Sequence, residues 1–417
     1  MVSEMGERTY INPNSIPVQQ QEKRTKKTFA FDTPLLIVVL CLSVIGLLAI
    51  YSASWSHSLR VGLPASYFLT NQIKWFFLGS AVAVAIGLFD YKILLRKEVL
   101  LLMMGVTVLL LIAVLFVQDD PSGLNRGLFR GSVQPSELAK LAIIIYLAAW
   151  LTSRQDQLDK FTFGLVPVSI IVGFIGGLIA IQPDVSATIT VFALGGLLFF
   201  LSGGDIRHIL LMVILIAVVG GAVILVSNRA ERILTFNPNL QNVDDVSYHI
   251  QRSLEAVMRG GWFGVGIGKS TTKSTGLPVP WTDSIFAVIV EETGIFGGTV
   301  IIALFVLLLW RGIIIAQRAP DMFGKLLAGG VTFWIVIEAF INIGVLVNLI
   351  PFAGNALPFI SSGGSSLITT MIGIGLLLSV SRIGTEEKNK ETRNSNAAVI
   401  NLRGRNGRRD IPRYRSS

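Results

Sequence analysis

WTDSIFAVIVEETGIFGGTVIIALFVLLLW, residues 281–310, decides what kind of protein this is. From Ser284 onward it holds an apolar run long enough to cross a bilayer as a helix, which takes about 20 residues. A carboxylate, Asp283, stands at its start, and two more, Glu291 and Glu292, lie inside it. At 1.5 Å per residue those two fall roughly 10–14 Å along the helix from Asp283. An ionised side chain facing lipid costs about 3 kcal/mol or more, so these acids must face protein or water. The stretch therefore predicts a membrane helix with polar business at its outer end.

The rest of the chain agrees. Of its 417 residues 52% are apolar and only 15% charged, and the mean hydropathy is +0.65. A soluble chain of this length would make about two or three domains of mixed polarity. Here apolar runs begin near Leu35, Trp75, Val99, Leu138, Gly164, Ala187, Ile209, Ser284, Leu326 and Ser366. The expected fold class is all-α and integral to the membrane, a bundle of ten transmembrane helices. The first run follows a long polar tail and reads as a retained anchor, because a cleaved signal peptide has a short charged start and a shorter apolar core. Placing both tails on one side puts about two-thirds of the 35 lysines and arginines there, which predicts cytoplasmic termini and an even number of spans.

Three segments are expected: a cytoplasmic tail over 1–32, the membrane domain over 33–383, and a basic tail over 384–417. The last is rich in Gly, Asn and Arg, supplies much of the formal +9, and is expected to be disordered. Its charge suits anionic lipid headgroups, and it has no aromatic or motif support for nucleic acid. The lone Cys41 excludes an internal disulfide and a cysteine metal site, and His57, His208 and His249 lie too far apart in sequence to suggest zinc. No inverted repeat of the transporter kind is present.

One connection, from Ser227 to Asp283, is much longer than the others, and long loops are more often functional than idle. Within it DDVSYHIQRSLEAVMRGG predicts a helix capped by Asp245 and ended by Gly260. Val246, Ile250, Leu254 and Val257 form its apolar stripe, with Arg252 and Arg259 opposite, the pattern of a helix lying on the membrane surface. The two arginines either face a ligand or pair with Glu255 across helix turns. Next, Gly264, Gly266 and Gly268 alternate ahead of Lys269 and Lys273. That spacing is either a cradle of backbone amides for phosphate or a flexible turn; it is neither a Rossmann fingerprint nor a P-loop.

Further charges lie where lipid is expected. Glu137 and Lys140 share one face in QPSELAKLAII, Asp184 sits in IQPDVSATIT, and Glu338 lies in FWIVIEAFINIG with Asn342 one turn on. They must pair with one another or line a wet cavity; Lys140 with Glu338 is the structural pairing expected.

QPSELAK, IQPD, ERILTFNP, GLPVPWTDSIFAVIVEETG and LIPFAGNALPFISSGGSSL, in this order from about Thr33 to Ile383, resemble the SEDS (shape, elongation, division and sporulation) family, the FtsW/RodA polymerases of bacterial cell walls. The resemblance implies ten transmembrane helices and a peptidoglycan glycosyltransferase acting on lipid II. It implies that Asp283 is the essential catalytic acid, that Lys273 is the family's loop lysine, and that Glu291, Glu292 and Gly294 are its Glu-Glu-x-Gly motif. It also places Ser365, in the SSGGSSL run, among substrate-binding candidates, and implies a class B penicillin-binding protein and other cell-division or elongation proteins as partners. The chain departs from the pattern at Trp281, usually His, at Ser284, usually Phe, at Ser186-Ala187, usually Gly-Thr, and at Ala353. SGLNRGLFRGSV also lacks the usual tryptophan. The long tails look more like the division branch.

The implied chemistry needs a carboxylate to take the acceptor's proton and positive charge to receive a departing pyrophosphate. Asp283 would be that base. Lys273, Arg252, Arg259 and Lys269, with the amides of Gly266 and Gly268 and with Mg²⁺ or Mn²⁺ as the candidate helper ion, would be that charge. Two other readings stay open on residues alone: a lipid II flippase using the buried Glu137, Lys140, Glu291 and Glu338, and a non-catalytic scaffold, which would have no need of those charges.

Overall fold

The computed structural model describes residues 31–116, 134–158, 164–182, 184–205, 207, 210, 248–350 and 354–405. Among them the chain is helical throughout, with no strand. The helices are α1 (Thr33–Arg60), α2 (Tyr67–Leu88), α3 (Lys97–Phe116), α4 (Pro135–Ser153), α5 (Leu165–Ile181), α6 (Val185–Leu201), α7 (Tyr248–Gly260), α8 (Ile285–Gln317), α9 (Met322–Leu346) and α10 (Gly364–Arg405). Seven are long and apolar enough to cross a membrane, and α5 and α6 are shorter apolar helices. This is a multi-pass membrane protein. The expected run from near Ile209, Asp245 and Val246 of the loop helix, Ala353, and the segments SGLNRGLFRGSV and ERILTFNP lie outside the described residues.

Local chemistry sets the helix starts. Asp32 caps α1 by accepting from Leu35 N at 3.0 Å, Asp184 caps α6 by accepting from Ala187 N at 3.2 Å, and Asp321 caps α9 by accepting from Gly324 N at 2.7 Å. Pro135 opens α4, where a missing N–H costs nothing. α4 and α9 are buried on nearly every side, as expected of helices apolar all round. α2 and α3 present most of their surface outward.

Two polar contacts between α1 and α8 are spaced as the two edges of a bilayer's hydrocarbon core would be. At the tail end Arg311 Nε donates to Asp32 Oδ1 at 2.7 Å. At the loop end Ser52 Oγ donates to the Glu292 carboxylate, 2.6 and 2.8 Å from its two oxygens. The two levels are 20 residues apart in α1 and 19 in α8, about 30 Å of helix, which matches a hydrocarbon core of about 30 Å. Exposed Trp310 and Trp55 lie beside the two levels, where interfacial aromatics belong.

One expectation is corrected. α7 does not rest on the membrane with Leu254 and Val257 down: it packs on α8, burying Ile250, Ser253, Ala256 and Gly260. Small residues at these positions let the backbones approach so closely that a Cβ on Gly260 would lie 2.2 Å from Val290 O. α10 runs through position 383 and on to Arg405, and its Arg382–Glu386 pair at 3.2 Å spans one helix turn. Finally α8 is interrupted at Gly294, whose φ is 76°.

Candidate functional site

Asp283 lies half-buried immediately before α8, nine residues beyond the Glu292 level. The backbone that carries it is held at three consecutive carbonyls. Ser362 N donates to Trp281 O at 2.9 Å, Ser361 Oγ donates to Thr282 O at 2.8 Å, and Asn342 Nδ2 donates to Asp283 O at 3.0 Å. Ser361 Oγ also accepts from Leu357 N at 2.8 Å, closing the turn in which Phe359 takes a φ of 65°. Gln72 of α2 clamps that turn, donating to Ser361 O at 3.2 Å and accepting from Gly363 N at 3.3 Å. Asn342 also donates to Asn355 O, while Asn355 Nδ2 donates to Glu338 O at 3.1 Å. Helices α2 and α9 and the turn before α10 therefore fix one acid.

The next residue is tied to the loop helix. Ser284 Oγ donates to Pro278 O at 2.8 Å and lies 2.9 Å from His249 Nε2. With the hydroxyl proton committed to Pro278, the imidazole donates from Nε2. Burial pushes His249 down to about 4, which keeps it neutral at pH 7. On the other side of Asp283, Trp281 meets His57 of α1 at 4.4 Å between ring centroids and Phe68 at 5.0 Å. A histidine ring thus lies beside the position where the family's usual histidine is replaced.

The Glu-Glu-x-Gly segment anchors the loop. The Glu291 carboxylate accepts from the Ser270 and Thr272 hydroxyls and from Thr271 N at 3.0 Å and Thr272 N at 3.3 Å. Glu292 accepts from Lys273 Nζ at 2.7 Å, and Lys273 reaches Ser52 Oγ at 3.1 Å and Gly268 O at 3.0 Å. Lys273, expected to face pyrophosphate, is buried with Glu292, both side chains at most 5% exposed. The glycine loop fills the interruption of α8: Val265 N donates to Glu291 O at 2.9 Å and Gly266 N to Glu292 O at 3.0 Å, while Ile295 N and Phe296 N donate to Gly261 O and Trp262 O at 2.9 and 3.3 Å. The Gly266 amide is thereby committed to Glu292, which removes it from the expected phosphate cradle. Gly268 is exposed and uses its carbonyl on Lys273.

The remaining expected residues fall in two places. Arg252 and Arg259 both pair with Glu255, at 2.7 and 2.8 Å, and the Glu255 hydrogen bond holds the Arg252 guanidinium above its ordinary value. Arg259 also donates to Thr271 Oγ1, and Lys269, two residues before Thr271, is exposed. Deeper in the bundle Lys140 donates to Glu137 at 2.8 Å and to Glu338, so the expected Lys140–Glu338 pair exists and has Glu137 as a third member. Asp184 accepts from Gln134 Nε2 at 3.0 Å and Ser136 Oγ at 2.9 Å. Ser365 opens α10, and it is Ser361 and Ser362 that reach the Asp283 segment. Those two serines, Ser52, His249 and Asn355 were not singled out from sequence; short polar residues in apolar surroundings were their only signal.

The family model described as cell cycle protein, covering FtsW, RodA and SpoVE, matches residues 32–386. The chain belongs to the FtsW/RodA/SpoVE family. Stage V sporulation protein E of Bacillus subtilis (strain 168) is 37% identical over 364 residues, 86% of this chain and 98% of that protein. The probable peptidoglycan glycosyltransferase FtsW of Geobacter metallireducens is 34% identical over 359 residues, 85% and 96% of the two chains. The crystal structure of the rod shape determining protein RodA of Thermus thermophilus matches with a TM-score of 0.63 at 25% identity, over 86% of this chain and 98% of that one. A chain from a peptidoglycan synthase complex, solved for its coordination of polymerization and crosslinking, matches with a TM-score of 0.71 over 85% and 98%; at 24% identity it speaks for the fold alone. The FtsW/RodA/SpoVE architecture is therefore the frame that holds Asp283.

Proposed function

We propose that this protein polymerises lipid II, an undecaprenyl-pyrophosphate-linked disaccharide pentapeptide, at the outer face of the bacterial cytoplasmic membrane, with Asp283 as general base. The observation that carries the reading is the acid's placement. It stands about 13 Å of helix beyond the Glu292 level, at the height of a headgroup sugar, on backbone tied at three successive carbonyls. The name of the Geobacter relative, probable peptidoglycan glycosyltransferase FtsW, supports the same activity.

In the proposed step the acceptor's 4-hydroxyl attacks the donor's anomeric carbon and gives its proton to the Asp283 carboxylate. The bond from that carbon to the pyrophosphate oxygen breaks, undecaprenyl diphosphate leaves as an anion, and single inversion yields a β-1,4 linkage. A positioned base contributes about 10²–10⁴ in rate. The leaving anion meets exposed Lys269 and the Arg252–Glu255–Arg259 group, in which two guanidiniums share one carboxylate and leave one net positive charge. Lys273 acts here by holding the loop to Glu292. Among the described residues no three His, Cys, Asp or Glu side chains converge as a metal cage; a Mg²⁺ or Mn²⁺ ion would be shared between Asp283 and the phosphates of the substrate.

The proposed topology has ten spans, cytoplasmic termini and the 227–283 loop outside, supported by the distribution of basic residues. The partner in this reading is a class B penicillin-binding protein, as the resemblance to the SEDS family implies, with the division site as the place of action. The charges that would line a lipid II transport path, Glu137, Lys140 and Glu338, close on one another, which gives a flippase no separate support. Purified protein with that partner and lipid II tests the reading. The parent should yield glycan strands, and Asp283→Asn should lose at least about a hundredfold in rate while its melting and lipid II binding stay unchanged. Strands made at the parental rate by Asp283→Asn would overturn the assignment.

A further inference from the structure

The loop that fills the interruption of α8 carries the most exposed large apolar side chains of its region: Phe263 at 87%, Ile267 at 79% and Trp262 at 72%. Exposed Met258, Ile295 and Phe296 adjoin them and make the patch continuous. Its depth follows from the hydrogen bonds. Trp262 O accepts from Phe296 N, and Phe296 lies four residues to the tail side of Glu292, about 6 Å along the helix. With the Glu292 level taken as the loop-end edge of the hydrocarbon, Trp262 and Phe263 lie a few ångströms inside that edge. Lys269, two residues past Ile267, is exposed on the headgroup side.

Irregular backbone enters hydrocarbon only when its polar groups are satisfied internally. α8 satisfies several of this loop's backbone groups in that way. Val265 N and Gly266 N are bonded to the carbonyls that the kink frees, Gly261 O and Trp262 O take the amides beyond it, and Gly264 N donates to Gly260 O at 2.7 Å. Two glycines make the fit possible. Gly264 and Gly294 have φ of 78° and 76°, and a Cβ on either would lie 2.2 Å from a facing carbonyl oxygen.

We propose that Trp262 and Phe263, at the tip of the 262–267 loop, form a finger immersed in the acyl chains of the outer leaflet, with Lys269 on the lipid phosphates. The finger and Asp283 are joined through the rigid start of α8, so the finger sets the height of Asp283 above the lipid. The word outer rests on the topology proposed above; immersion itself does not depend on Asp283 being a base. An amphipathic segment anchored in this way sits about 5–10 Å into the boundary, the depth that the hydrogen bonds indicate. Lipid is the occupant because the patch lies at hydrocarbon depth with a cation at headgroup height.

The test is contact quenching of indole fluorescence by bromine on lipid acyl chains, with the full chain in vesicles of phosphatidylglycerol and phosphatidylethanolamine. The chain has seven tryptophans, so the reading is the difference between the parent and Trp262→Phe. The quenched emission should lose a component in Trp262→Phe, and that component should be larger with bromine near the headgroup end of the chain than near its methyl end. Adding Phe263→Trp to that variant should restore a quenched component. Trp262 emission quenched by aqueous iodide and untouched by brominated lipid would place the loop in water and overturn the proposal. Emission shielded from both would show a protein surface over the patch, a second copy or a partner, and would overturn it equally. Asp283→Asn, quenched like the parent, separates this result from the fate of the catalytic reading.

Discussion

Ser361 and Asn342 touch the Asp283 segment through its backbone, not its carboxylate, and this defines what their loss should do. Each removes one of three tethers while leaving the acid in place. A displacement of about 1 Å at a reacting group can cost on the order of a hundredfold in rate. Ser361→Ala and Asn342→Ala should therefore lower kcat of glycan polymerisation by roughly tenfold to a hundredfold with KM little changed. Ser361→Thr, which keeps the hydroxyl, should retain most of the rate. Equal losses in the Ala and Thr variants would assign Ser361 to folding, not positioning. Asp283→Asn differs from both because it removes the proton acceptor itself.

At the scale of elements the long loop is held by α8 in two independent ways, and each gives a prediction. His249 joins α7 to Ser284 as a neutral donor. Its folded value of about 4 lies below the ordinary value near 6.5, so between these values the unfolded chain takes up the proton first. Stability conferred by the neutral imidazole is complete above about pH 6.5 and is lost as the pH falls toward 4, by about 3 kcal/mol in total. The melting temperature in detergent should fall more steeply from pH 7 to pH 5 for the parent than for His249→Gln; parallel curves would show that His249 is not the group responsible. The second hold is the glycine fit. Gly264→Ala and Gly294→Ala each force a Cβ against a carbonyl oxygen, and overpacking of this kind costs about 1–3 kcal/mol or more. Both should loosen the loop, read as faster hydrogen exchange at Val265 and Gly266 with the amides of α4 and α9 unaffected. Unchanged exchange at the two loop amides would show that the fit tolerates a side chain.

Across the whole molecule the buried charges tie α4 to α9. Lys140 bridges Glu137 on its own helix and Glu338 on α9, with side chains 1%, 6% and 3% exposed. Breaking a buried pair by removing one partner costs about 3–5 kcal/mol. Lys140→Met should cost at least that, since it strands two carboxylates. The double variant Lys140→Met with Glu338→Leu should recover only part of the loss because Glu137 remains unpaired. Adding Glu137→Gln should recover more, as read from thermal melts. Losses that simply add across the three variants would show no energetic coupling among them. A stable triple variant that had lost polymerisation would move the cluster from scaffold to substrate path.

Some of this was legible from residue order alone. The apolar runs fixed the membrane class because no soluble core absorbs so much apolar length, and the Asp283, Glu291 and Glu292 spacing along one run marked where polar contacts had to be found. Lys140 and Glu338 could be matched because a charge in lipid must find an opposite charge. The partners of the other acids were not legible. Glu292 meets Ser52, and Asp184 meets Gln134 and Ser136, across sequence separations that no local pattern encodes, and Lys273 reads as an anion ligand where the structure buries it against α8. The glycine loop and the Glu-Glu-x-Gly segment each read as a separate motif. Only the tertiary structure shows that one fills the gap in the other, because a broken helix leaves backbone carbonyls that some other segment must satisfy, and which segment does so depends on how the chain is packed.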